Sequence, residues 1–254
     1  MSMSDTHLSL SSPPIVEAVV DIDCDMPPGQ DLAALEAAAR DAFRQHYPKF
    51  RTVIRHEGQI ELPEDSLPEL SARRGIQALQ FLQDDEKQLV QVRARGFSLN
   101  RLAPYSTLDD YLPEIERTWR LFLSLGSPIQ IRVVRLRYIN RIELPMTEGR
   151  VELGDYLKVS PQLPDDTGLT SAGFFNQHAA VEAGTGNTVN IILATQPPQN
   201  DMLPIIFDIT AEATGTAEPQ PWAWILSRIE SLRSLKNRIF WNTLTDRCLN
   251  LFQQ

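Results

Sequence analysis

From Ile15 to Met26 the chain alternates. Val16, Ala18, Val20, Ile22, Cys24 and Met26 fall on one face, and Glu17, Val19, Asp21, Asp23 and Asp25 on the other. Period two over this length predicts a half-buried strand. Pro27-Pro28-Gly29 ends it. From Asp31, the apolar positions Leu32, Leu35, Ala39 and Phe43 recur at helical spacing, and Pro48 stops that helix. Arg51 to Leu62 reads as a second strand, and residues 63–75, with Pro63 and Pro68, as an exposed loop. Ile76 to Gln83 and Gln88 to Leu102 flank the polar tetrad Asp84-Asp85-Glu86-Lys87, a β-hairpin pattern. Leu112, Ile115, Trp119 and Leu123 form an apolar stripe; Pro113 suits a first helical turn, and Gly126 and Pro128 supply the stop.

The order then starts again. Ile129 to Leu144 reads as a long strand and Leu153 to Val159 as a short helix. Phe174 to Glu182, Thr188 to Thr195 and Leu203 to Ala213 read as three strands, the first two joined by the turn Gly184-Thr185-Gly186-Asn187. Pro221 opens a last helix that turns Ile225, Ile229, Leu232, Leu235 and Ile239 inward, and Thr243 or Thr245 caps a short final one. Each half is therefore strand, helix, three strands, helix. The expected fold class is α+β: two successive β-α-β-β-β-α halves, residues 13–126 and 127–254, forming a mainly antiparallel or barrel-like sheet with helices packed on it. Residues 13–254 make one domain, preceded by a polar, Ser-rich, disordered tail over residues 1–12.

Composition adds limits. Of 254 residues, 42% are hydrophobic and 22% charged, as in ordinary globular chains. The net charge of −9 repels phosphate backbones, so nucleic acid is an unfavoured partner. No apolar run reaches the length of a membrane span, the N-terminus has no signal-peptide pattern, and Cys24 and Cys248 lie in no metal or redox spacing. The expectation is a cytoplasmic protein with two buried thiols.

Two groups of residues could carry function. Arg93 and Arg95 alternate with Val92 and Ala94, which puts them on one strand face about 7 Å apart. Arg135 and Arg137 do the same, with Arg141 further along and Ile131, Val133 and Ile139 on the same face. Guanidinium pairs grip carboxylate or phosphate bidentately; they also form ordinary cross-strand ion pairs. The second group is acidic. Glu17, Asp21, Asp23 and Asp25 share a face of the first strand, and Asp208 and Glu212 a face of the last. Alternating carboxylates can hold Mg²⁺ or Mn²⁺, or can keep a sheet edge from pairing. Arginine and acidic strands together are distantly similar to triphosphate tunnel enzymes, whose first-strand Glu-x-Glu-x-Lys is absent here. The four histidines have no partners at ligand spacing, and no nucleophile elbow or phosphate loop occurs, so no catalytic residue is assigned. Trp222, Trp224 and Trp241 flank the last helix, where they suit core packing or a partner anchor.

Three short stretches, Ser12-Pro13-Pro14-Ile15-Val16-Glu17-Ala18-Val19, Arg137-Tyr138-Ile139-Asn140-Arg141-Ile142 and Leu235-Lys236 with Phe240 and Leu244-Thr245, resemble a sporadically distributed family of uncharacterised bacterial proteins. The resemblance implies a whole-chain domain and a place in a mobile-element or anti-phage defence locus; it implies no activity. The leading expectation is a non-catalytic binding module that recognises a protein partner or an anionic small molecule through Arg93, Arg95, Arg135, Arg137 and Arg141. The alternative is a metal-dependent phosphohydrolase of tunnel type, acting on nucleotides or polyphosphate, with Asp21, Asp23, Asp208 and Glu212 around Mg²⁺ or Mn²⁺.

Overall fold

The computed structural model describes residues 10–61, 69–159 and 172–253, with residues 56–61 and 69–74 as backbone alone. The described strands are β1 (Ile15–Asp25), β2 (Lys49–Glu61), β3 (Glu69–Leu82), β4 (Gln88–Arg93), β5 (Gly96–Leu102), β6 (Gln130–Pro145), β7 (Phe175–Val181), β8 (Thr188–Thr195) and β9 (Met202–Ala217). The helices are α1 (Leu32–Phe43), α2 (Leu108–Gly126), α3 (Trp222–Thr243) and α4 (Asp246–Asn250). The nine strands form one antiparallel sheet in the order β2-β3-β4-β5-β1-β6-β9-β8-β7. The sheet is open, with β2 and β7 at its edges, so the barrel-like variant of the expected fold is not what forms.

The two halves are wound alike. In each, the last strand pairs with the first: β5 with β1, and β9 with β6. The remaining strands of each half continue outward by hairpins to an edge. The halves meet where β1 pairs antiparallel with β6. The helices pack on one face. Ala18, Val20 and Ile22 of β1, Leu136 and Tyr138 of β6, and Phe207 and Ile209 of β9 bury there against Phe43 of α1, Trp119 and Phe122 of α2, and Ile225, Ile229 and Leu232 of α3. A buried indole needs a partner for its N–H, and Trp119 finds one in the carbonyl of Pro219 at 3.1 Å. Trp222, Trp224 and Trp241 are partly buried against the same core.

Several boundaries differ from the sequence expectation, each for a local reason. Residues 69–75, expected in a loop, begin β3, because β2 supplies a hydrogen-bonded partner as far as Glu61↔Glu69; residues 63–68 of that loop lie outside the described residues. The single strand expected over Gln88–Leu102 is two strands folded at Ala94-Arg95, so the first half has four strands after its helix. Its second helix starts at Leu108, ahead of Pro113. The signal is a capping box, in which the Thr107 side chain accepts from the Asp110 amide and the Asp110 carboxylate accepts from the Thr107 amide. Leu153–Val159 shortens to a single 3-10 turn, Leu153–Asp155. Residues 1–9 of the expected tail lie outside the described residues. Ser11 and Ser12 are tied down by hydrogen bonds to the Phe252 carbonyl.

The fold at Ala94-Arg95 depends on Gly96. Its φ is +150°, and a Cβ there would sit 2.1 Å from the Ile22 carbonyl oxygen and 3.0 Å from the Asp23 Cα. The Gly96→Ala variant combines a strained backbone with a clash against the central strand, and should lose about 3 kcal/mol or more of stability. Urea denaturation checks this; a midpoint within error of wild type would show that β5 does not approach β1 as described.

Candidate functional site

The second face of the sheet carries no helix among the described residues. Across β3, β4, β5 and β1 its side chains form a hydrogen-bonded row. Gln80 Nε2 donates to Gln91 Oε1 at 3.0 Å, Gln91 Nε2 to Asn100 Oδ1 at 3.1 Å, and Asn100 Nδ2 to Glu17 Oε1 at 2.7 Å. From β1 onward the row is ionic. Arg135 Nη1 reaches Asp21 at 3.1 Å and Asp23 at 2.5 Å, while its Nε donates to Glu212 at 2.5 Å. Arg93 Nη2 lies 2.8 Å from Asp21 and 3.0 Å from Asp23. Arg137 grips Asp208 with Nε at 3.0 Å and Nη2 at 2.5 Å.

Two of the Arg135 pairs follow directly from register. Asp21 lies directly across from Arg135 in the β1–β6 pair, and Arg135 across from Glu212 in the β6–β9 pair. The acidic first strand and the arginine strand of the second half are neighbours and neutralise each other. The balance remains negative: Glu17, Asp21, Asp23, Asp208 and Glu212 face Arg93, Arg135 and Arg137. Burial pushes the Asp21 carboxyl above its usual range, against the pull of Arg93. Burial works against the charge of Arg135 too, but hydrogen bonds to Asp23 and Glu212 outweigh it and hold its pKa above the ordinary arginine value.

The expected site residues are therefore only partly brought together. Arg93, Arg135 and Arg137 converge on one face. Arg95 does not join them: it lies in the β4–β5 turn with its side chain exposed, and only its carbonyl reaches β1, accepting from the Cys24 amide at 2.8 Å. The expected shared face of Arg93 and Arg95 is corrected by that turn. Arg141 lies one strand repeat beyond Ile139 and pairs with Glu143 at 2.7 Å. Ile131, expected beside the arginines, is buried in the helix-side core, because irregular register beside Arg132 shifts the strand's alternation. Asp21, Asp23, Asp208 and Glu212 do share the arginine face, but each is taken up by a guanidinium. Among the described residues no group of three or more His, Cys, Asp and Glu is placed to hold a metal ion. The idea that the acidic strand guards an edge is also corrected, since β1 is central. Cys24 and Cys248 are free and buried, and burial pushes both thiols up to about 12.

A different site lies on the helix side. A cavity of about 190 Å³ is lined by Leu10, Pro14, Ile15, Asn140, Lys236 and Trp241, with Ser106 and Thr107 at the start of α2. All three stretches that carry the family resemblance reach it. The Lys236 ammonium lies 4.1 Å from the centroid of the Tyr138 ring, and burial pulls its pKa down to about 7. Tyr138 is hydrogen-bonded through its hydroxyl to Tyr105 at 2.7 Å. Lys236 gave no chemical signal in the sequence, because a lysine on a helix reads as a solvated charge. Only its place in the stretch Leu235-Lys236 pointed to it.

No family model matches the chain, and no curated protein matches it significantly.

Among the described residues Arg135 is the one cation that touches Asp21, Asp23 and Glu212 together. Replacing it by methionine leaves half-buried carboxylates short of counter-charge. Arg135→Met should cost about 2 kcal/mol at neutral pH, below the figure for a fully buried pair because this face is partly wet. Without the guanidinium the Asp21 carboxyl, already raised by burial, binds protons more readily in the folded than in the unfolded chain. The deficit should therefore shrink as the pH falls towards the carboxylate range. Denaturation curves over pH test this, and a deficit that grows on acidification would contradict it.

Proposed function

We propose that the protein is a non-catalytic interaction module that docks a protein partner on the open face of its sheet. The observation that carries this reading is the hydrogen-bonded polar row on a face the helices leave uncovered. Its groups are matched to one another, which makes the face rigid and electrostatically patterned. Such patterning selects a partner more than it attracts one. Because carboxylates outnumber guanidiniums there, a free anion is the less suited ligand, and a surface bearing both charges is the better one.

Apolar area lies beside the charges. Arg141, Ile206, Ala194 and Phe175 form one straight cross-strand row from β6 to the edge strand β7. Phe175 and Val181 on β7 are 67% and 70% exposed. Exposed apolar residues next to a polar pattern are the usual composition of a contact surface. Mutual pairing of arginines and carboxylates on an open sheet favours docking over the Mg²⁺- or Mn²⁺-dependent phosphohydrolase. On the family resemblance, the partner is sought among products of adjacent genes in a mobile-element or anti-phage defence locus, acting in the cytoplasm.

The test uses purified products of the adjacent genes and measures binding by calorimetry. Arg141→Glu at a half-buried position, with Phe175→Asp at an exposed one, should weaken binding at least tenfold, about 1.4 kcal/mol, without unfolding the protein. Unchanged affinity in that variant would refute the assignment. So would hydrolysis of nucleoside triphosphates with Mg²⁺ or Mn²⁺ that is lost in Asp208→Asn.

A further inference from the structure

The cavity beside Lys236 is separate from the open face, and its test is independent of the docking reading. Its lining divides in two. Leu10, Pro14, Ile15 and Trp241 supply apolar walls; Ser106, Thr107, Asn140 and Asn237 supply polar groups, and Lys236 is the one charged residue. Lys236 makes no hydrogen bond or ion pair among the described residues, and its contact is the Tyr138 ring.

Lys236 is half-buried, and its ammonium lies over an aromatic ring rather than on a carboxylate. The charged groups around it are accounted for. Arg233, the nearby cation on α3, places Nη1 and Nη2 at 2.7 and 2.8 Å from the two oxygens of Asp109 on α2. Asp110 closes the capping box of α2. Tyr138 of β6 and Tyr105 before α2 hydrogen-bond each other, and burial pushes both phenols up, so they stay neutral. Asn140 Nδ2 donates to the Phe207 carbonyl at 2.9 Å, whereas the Asn237 amide makes no hydrogen bond among the described residues.

We propose that this cavity is a binding site for a small organic monocarboxylate, with the carboxylate on the Lys236 ammonium and the Asn237 amide and the apolar body against Ile15 and Trp241. Among the described residues one cation is available, and it suits one negative charge. A phosphate dianion would call for a second, and Arg233 is committed to Asp109. The volume holds about six waters, which fits a short aliphatic or single-ring acid and excludes a nucleotide.

The site is linked to pH. Unliganded, Lys236 loses its proton near pH 7. Carboxylic acids of this class ionise near pH 4 and are fully charged above pH 6. Affinity should therefore follow the protonated fraction of Lys236 and fall about tenfold from pH 6 to pH 8. A bound carboxylate should in turn raise the lysine pKa.

The experiment is NMR of the full chain labelled at the lysine side chains, titrated with benzoate, acetate and inorganic phosphate at pH 6 and pH 8. Benzoate should shift the Lys236 Nζ and Cε signals, bind about tenfold more tightly at pH 6, and exceed both acetate and phosphate. Lys236→Met removes the ammonium at nearly constant volume. It should remain folded, because the ammonium makes no hydrogen bond or ion pair among the described residues, and should abolish the benzoate response; Lys236→Arg should retain part of it. Benzoate binding that survives Lys236→Met, phosphate binding tighter than benzoate, or no response of the Lys236 signals to any of the three up to the millimolar range would overturn the proposal.

Discussion

The pairing of β1 with β6 is the contact on which the rest depends. Among the described residues it is the only seam through which the two halves share a sheet, and its two faces carry different kinds of information. On one face Ala18, Val20 and Ile22 lie opposite Tyr138, Leu136 and Val134, which makes the seam part of the apolar core. On the other, Asp21 lies opposite Arg135. A slip of one residue would turn the apolar set to water and the charges into the core. Charge and hydrophobicity therefore specify the same register. The ionic groups contribute to that choice more than to net stability, since desolvation offsets much of their attraction.

From that seam the architecture extends symmetrically. Each half returns its last strand beside its first, so β5 and β9 flank the central pair, and each then descends by hairpins to an edge. The helices cover one face, where the aromatic and aliphatic side chains lie. The opposite face is polar around the seam, where its charged groups pair across strands, and apolar towards the edge strand β7. Such a surface is stable without a covering layer yet presents a fixed pattern to a partner. The Lys236 cavity arises from the same topology, because the start of β1, the later part of β6 and the last helix meet where the seam ends.

Much of this was legible in the sequence. Period-two alternation over Ile15–Asp25 and helical spacing over Leu32–Phe43 and Ile225–Leu235 were read correctly, because local pattern determines those elements. Arg95 was misplaced beside Arg93 because alternation continues through a tight turn. Only the φ of Gly96 and its approach to Ile22 reveal that the chain reverses there. Ile131 was misassigned for a related reason, since an irregular register flips parity with no mark in composition. The convergence of Arg93, Arg135 and Arg137 on Asp21, Asp23, Asp208 and Glu212 needed the strand order, which no local pattern contains. Lys236 was the least legible, because burial of a lysine is decided by what packs over it.

Native-state hydrogen exchange tests the central claim, that the β1–β6 seam binds the two halves into one cooperative unit. The account predicts that amides of Val20, Ile22, Leu136 and Tyr138 are among the slowest to exchange, at the free energy of global unfolding, with both halves sharing that limit. Seam amides that exchange well ahead of those in β9 and α3, with each half retaining its own separate protection, would contradict it.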